Sequence, residues 1–296
     1  MQTTSPLPTP ASATAQGISP HARAPITATD SALMCESCGY PLAGLEESQG
    51  NCPECGTPIA DSLPRRRTGS AWQNRGGVLS WPGAVWDTHK GTLLRPRERF
   101  RTLRIEPRSG TLLLAVTLPL AGLLLVAPWT GTLVGDPARA ARGAGPVVQA
   151  AVYALMVPFQ AAIAAGILLV LTAIECRGVM FFARRRGWRL TREAAWQVCS
   201  HASAGWIVGA LVPLFVMAVL WAAPTGRPSL LDKLLARGGG IGVGSFSAGD
   251  AVLASVVVGA YVIGLLVFEV LVYVGVRQCR WANPINAGRS GGEVSR

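Results

Sequence analysis

Four stretches of this 296-residue chain run for twenty residues or more with almost no charge, and nothing else constrains its fold as tightly. The first lies between Arg108 and Asp136, with its apolar body at Gly110–Val134. The second lies between Arg142 and Glu175, the third between Glu193 and Arg227, and the fourth runs from Asp250 to Arg277, broken only by Glu269. Each supplies the roughly 20 apolar residues that a helix needs to cross a bilayer. Charges are costly in hydrocarbon, and only 15% of this chain is charged, against about 25% in an average soluble domain. The expected fold is therefore an all-α membrane protein, a four-helix transmembrane bundle with spans at about 110–134, 147–174, 204–223 and 251–276.

The charges that remain are mostly arginine: two lysines (Lys90 and Lys233) stand against 25 arginines, and the net charge is +11. Such a balance suits nucleic acid or an anionic membrane surface, and position decides between them. Arg95, Arg97, Arg99, Arg101, Arg104 and Arg108 precede the first span. Arg177, Arg184, Arg185, Arg186, Arg189 and Arg192 separate the second from the third, and Arg277 and Arg280 follow the fourth. The other two loops carry Arg139 and Arg142, then Arg227, Lys233 and Arg237. Under the positive-inside rule this alternation puts both termini and the central loop in the cytoplasm. Arginines beside spans point to lipid rather than DNA. Residues 1–30 have no apolar run and are expected to be a disordered tail.

Four of the seven cysteines form two CxxC units, Cys35-Glu36-Ser37-Cys38-Gly39 and Cys52-Pro53-Glu54-Cys55-Gly56, with thirteen residues between the pairs. Each unit lets two thiolates grip one ion, and the following glycine suits the positive φ of such a turn. Cys35, Cys38, Cys52 and Cys55 together make a closed tetrahedral sulfur set, the donor set of one structural Zn²⁺, or less often iron. A redox CxxC pair would come with a thioredoxin-like context that this chain lacks. A module this small has too little core to fold alone, so the metal is expected to supply its stability. Between Asp30 and Asp61 there are six acids and no basic residue. That charge repels phosphates and argues against nucleic acid. It leaves the ribbon to dock on a basic protein partner or on the chain's own arginine-rich neck.

The neck has its own pattern. Ser80-Trp81-Pro82 reads as a helix start, with Ser80 as N-cap, and Pro96 as the start of a second helix. In that second helix Arg97, Arg101, Arg104 and Arg108 are spaced to share one basic face, with Phe100 and Leu103 off it. This suits a helix lying on the anionic inner leaflet, or simply a flank that sets topology. Trp72, Trp81 and Trp86 are expected at the membrane interface.

Within the spans, Glu269 is the one carboxylate and so a candidate for ion coupling, although its place near Arg277 also suits a structural ion pair. Cys199-Ser200-His201 invites a nucleophile reading, but residues two apart on a helix point to different faces. Gly238–Ser245 lacks the lysine and the strand–helix context of a phosphate loop. Gly205/Gly209, Ala162/Gly166 and Ala260/Gly264 are small-residue pairs that let helices approach closely, within one chain or in a homo-oligomer. Pro119, Pro158 and Pro213 predict local kinks.

The run "CESCGYPLAGL…CPECG", followed by the neck "WDTHKGTLLRPRERFRTL" and several spans, resembles a group of bacterial zinc-ribbon multi-pass membrane proteins without an assigned activity. The specific part of that likeness covers residues 33–58. The neck and "HASAGWIVGAL" more weakly resemble the Yip family of multi-pass membrane proteins, whose eukaryotic members act in vesicle trafficking with small GTPases. Neither likeness implies catalytic residues. The chain is thus expected to comprise the tail at 1–30, a zinc ribbon at 31–61, a linker and basic amphipathic neck at 62–108, a transmembrane domain at 109–277 and a cytoplasmic tail at 278–296. The expected function is a non-enzymatic scaffold or interaction adaptor in the inner membrane, with a transporter or channel using Glu269 as the alternative.

Overall fold

The computed structural model describes residues 33–45, 50–106, 108–126, 146–222 and 248–285. Among these the chain is mostly helical and forms no β-strand. The helices are α1 (Trp81–Leu94), α2 (Pro96–Thr102), α3 (Ser109–Val126), α4 (Pro146–Arg185), α5 (Arg192–Ala202), α6 (Ala204–Ala222) and α7 (Ala248–Cys279). Four candidate spans are long and apolar enough to cross a membrane: Ser109–Val126, Ala154–Arg185, Arg192–Val216 and Ser255–Cys279. The 1–30 tail, Glu46 and Glu47, the end of the first span, both short-arginine loops and Gly238–Ser245 lie outside the described residues.

Two spans end differently from expectation. The second does not stop at Glu175, because α4 continues to Arg185. Its 40 residues make a rod of about 60 Å, twice the hydrocarbon thickness. Glu175 is therefore inside a candidate span, and Glu269 is not the only intraspan carboxylate. The third span starts earlier, at Arg192, because α5 leads almost without interruption into α6. The Thr191 side chain caps α5 by accepting from Ala194 N–H at 3.2 Å. At the joint, Ser203 Oγ donates to Ser200 O (2.6 Å) instead of to a distant partner.

Packing between the spans follows from small residues. A Cβ added to Gly205 would lie 2.5 Å from Phe268 N, and one added to Gly209 would lie 2.6 Å from Ala260 O. Thus the Gly205/Gly209 pair meets the Ala260/Gly264 pair, and the contact joins α6 to α7 of the same chain. Beside it Trp206 stacks on Phe268 (5.0 Å between centroids) and donates to Thr172 Oγ1 (3.1 Å), which ties in α4. Ala162/Gly166 does not serve in this way. A Cβ on Gly166 meets nothing within 4 Å, whereas Gly122 of α3 packs against Ala161 and Ala165, one position earlier on α4.

The neck is folded into the bundle end. Trp72 is fully buried and donates from Nε1 to Ser109 O (3.0 Å), so it is a core residue and not an interfacial one; Trp86 remains 67% exposed. The start of α1 has Pro82 in its first turn, as expected, but Ser80 does not cap it. A short 3₁₀ turn at Val78–Ser80 turns that hydroxyl back onto Gly77 O (2.7 Å). His89 of α1 lies 2.9 Å from Thr117 Oγ1 of α3. The basic helix is shorter than its spacing suggested. It stops at Thr102, Leu103 is extended, and Glu106 precedes a proline, a position biased away from the helix. Arg97, Arg101, Arg104 and Arg108 therefore do not share one helical face.

Replacing Gly205 with valine forces α6 and α7 apart and is expected to lower stability by about 2 kcal/mol. The same change at Gly166 is expected to leave it near the native value, as thermal unfolding of the purified protein in detergent would show.

Candidate metal centre

Two matching turns build the cysteine site. In the first, Cys35 N–H donates to Tyr40 O (2.8 Å) and Gly39 N–H to Cys35 O (2.8 Å). In the second, Cys52 N–H donates to Thr57 O (2.8 Å) and Gly56 N–H to Cys52 O (2.9 Å). Antiparallel bridges Met34–Pro41 and Asn51–Pro58 close the two turns. Gly39 and Gly56 take φ of 82° and 73°, the left-handed conformation that glycine adopts without a steric cost.

The turns bring all four sulfurs within 4.8 Å of one another. Cys35 and Cys55 are 3.6 Å apart and Cys38 and Cys52 are 3.7 Å apart. A metal–thiolate bond of about 2.3 Å places tetrahedral sulfurs about 3.8 Å apart, so these edges fit one four-coordinate ion. The knob has little else to hold it. Its buried apolar cluster is Cys35, Leu42, Cys52 and Ile59, and two of those four are ligand candidates. Burial pushes the Cys35 and Cys38 thiols above their usual range. Cys55 is exposed, and its hydrogen bonding with the Thr57 side chain and backbone holds it down at about 6. A cation must therefore displace protons from the buried thiols, so uptake weakens as pH falls.

Sequence reading did not identify the residues that seat this knob. Arg67 is 4% exposed and donates from Nε and Nη2 to the two carboxylate oxygens of Glu36, both at 2.9 Å. Its Nη1 donates to Leu103 O (2.9 Å) and Phe100 O (3.3 Å), the free carbonyls at the end of α2. Asn283, beyond α7, joins the same contact. Its Nδ2 donates to Met34 O and Ser62 O, both at 2.8 Å, and its Oδ1 accepts from Met34 N–H at 3.0 Å. Trp281 lies against Gly39 so closely that a Cβ there would fall 2.6 Å from the indole. The acidic knob is thus seated on its own chain, through a linker arginine and the residues after the last span. The only advance signal was the Arg65-Arg66-Arg67 run next to the acidic module.

The remaining candidates fall elsewhere. Arg104 lies 3.0 Å from the Glu106 carboxylate and donates to Asn74 Oδ1 (2.6 Å), while Arg97, Arg101 and Arg108 are exposed. Glu269 of α7 faces the carboxyl of Glu175 on α4, not an arginine, and both line a cavity of about 220 Å³. Cys199 and His201 do not form a dyad. His201 Nδ1 donates to Gln197 O (2.9 Å), and its Nε2 is 3.0 Å from Ser70 Oγ, so both ring nitrogens are occupied. Cys199 instead meets Cys176.

Replacing Arg67 with methionine strips the half-buried Glu36 carboxylate of its guanidinium partner, leaving it the Asn283 N–H, a loss of about 2 kcal/mol. The result to look for is faster proteolysis within residues 33–58. Gly39→Ala and Gly56→Ala strain their turns alike, but only Gly39→Ala displaces Trp281. Tryptophan fluorescence should therefore shift in the first variant and not in the second.

No protein-family model, curated protein or solved structure matches this chain.

Proposed function

We propose that this chain is a non-enzymatic scaffold of the cytoplasmic membrane, with both termini cytosolic, whose zinc ribbon holds one structural Zn²⁺ through Cys35, Cys38, Cys52 and Cys55. The observation that carries this reading is the clasp formed by Glu36, Arg67 and Asn283, which binds the ribbon to residues before the first span and after the last. A ribbon so held acts as a staple between the chain's two ends. Four thiolates around zinc leave no open position for a substrate, which suits a structural ion and not a catalytic one. The cytosolic assignment draws support from topology. Trp196 at the start of the third span bonds Thr111 at the start of the first, and Phe100 packs on Gly275 near the end of the fourth. The three arginine-rich flanks therefore gather at one end of the bundle, beside the ribbon, as the positive-inside rule requires. Reducing cytosol also keeps thiols free for metal. Trp86 and Leu79, exposed beside that end, suit contact with the lipid surface.

Elemental analysis of the purified protein is expected to find one zinc per chain. Chelation should open residues 33–58 to protease while all four spans stay inserted. Unchanged protease sensitivity after complete zinc removal counts against the staple.

The facing carboxyls of Glu175 and Glu269 support a second reading, an ion-coupled transporter. Acidic side chains inside a span are functional candidates by default, and Arg186 and Arg277 line the same cavity. Glu269→Gln and Glu175→Gln are each expected to abolish pH-driven flux in liposomes; absence of flux in the unaltered protein disposes of this reading.

A further inference from the structure

We propose that the open cleft between the ribbon, α2 and the end of α7 is a binding site for a phosphate-bearing anion. Its volume is about 600 Å³, within the range of small-ligand pockets. Arg97 and Arg101 reach it from α2, one helical turn apart. Arg277 and Arg280 reach it from α7 and the residue just after it. Four guanidiniums thus face one hollow from two elements that are distant in sequence.

Two acids also line the hollow, and both are already neutralised from outside it. Glu36 has its two oxygens taken by Arg67, and Asp61 is 3.1 Å from Arg66; neither of those arginines belongs to the lining. Among the described residues none of the four lining arginines is ion-paired. Their known partners are neutral: Arg280 donates to Ser37 O (3.0 Å) and Arg277 to Tyr273 OH (3.1 Å). Each guanidinium carries five N–H donors in a planar fork that matches phosphate oxygens. Among the described residues, the only polar side-chain bonds of the four are those of Arg277 and Arg280 just given. A topology-setting flank needs arginines beside a span, but it does not need four of them lining one cleft. Gathering like charges there is unfavourable without an anion among them.

The site lies where the last span ends, at the level of lipid headgroups. The phosphate can therefore belong to an anionic lipid or to a soluble phosphorylated molecule. The site depends on a seated ribbon, but not on which metal the ribbon holds.

The test uses the full chain in nanodiscs. Native mass spectrometry in phosphatidylcholine containing phosphatidylglycerol reads retained anionic lipid. Calorimetry in phosphatidylcholine alone reads binding of inorganic pyrophosphate. At least one probe is expected to bind, and Arg97→Gln with Arg101→Gln should weaken it tenfold or more. Arg277→Gln with Arg280→Gln gives an independent second pair, should the first disturb α2. Arg184→Gln with Arg185→Gln removes as much charge from the same end and should change nothing. Lipid retention alone makes this a headgroup site, and pyrophosphate binding alone makes it a site for soluble phosphates. If neither probe binds, or if the Arg184/Arg185 pair weakens binding as much as the lining pairs do, the proposal is overturned. Zinc content and ribbon protection from protease, unchanged in the Arg97/Arg101 variant, separate loss of this site from failure of the staple; the second pair includes Arg280, which itself contacts the ribbon at Ser37 O.

Discussion

The buried guanidinium of Arg67 is the interaction on which the cysteine-bearing end of this protein depends. A charge taken out of water is tolerated only when it is paired and its hydrogen bonds are made. Arg67 meets both conditions by joining the first cysteine turn to the end of α2. One side of the fork takes the carboxylate of Glu36 in the first cysteine turn. The other takes the carbonyls of Phe100 and Leu103, which the end of α2 leaves without helical partners. The same residue therefore ends a helix, neutralises an acidic module and fixes the module's position.

From that node the ribbon reaches both ends of the bundle sequence. Asn283 adds four hydrogen bonds and Trp281 covers Gly39, while Ile285 N–H reaches Ile105 O at 3.4 Å. Deeper in the bundle the cohesion has a different origin. Lipid tails are as apolar as leucine, so spans gain little by hiding hydrophobic groups from them. Close backbone approach at Gly205, Gly209 and Gly264, with the Trp206–Phe268 stack, supplies dispersion contacts in place of that driving force.

Much of this was legible in one dimension. Long uncharged runs marked the four spans because hydrocarbon excludes charge, and this holds whatever the neighbours are. Paired CxxC units marked the metal set because a tetrahedral ion demands that local geometry. Two small-residue pairs were visible as motifs, but whether they met each other or another molecule was not, since that depends on the rotation of two helices. The neck was misread where local spacing met tertiary demand. Four arginines at helical intervals looked like one face, yet the helix ends at Thr102, where Arg67 takes the carbonyls of Phe100 and Leu103. Trp72 looked interfacial by residue type, and the fold buries it against α1 and α3.

Composition and spacing by themselves marked the four candidate spans among the described residues, the arginine-rich flanks and the four cysteines that could hold a metal ion. Each follows from a constraint that acts within a few residues or over one helix length. Only the tertiary structure decided what the ribbon holds on to, that Glu175 stands opposite Glu269, and that four arginines from two elements turn toward one hollow. Those outcomes join residues as far apart as Met34 and Asn283. A contact over that distance is selected by the packing of the whole bundle end, and no local pattern in the chain encodes it.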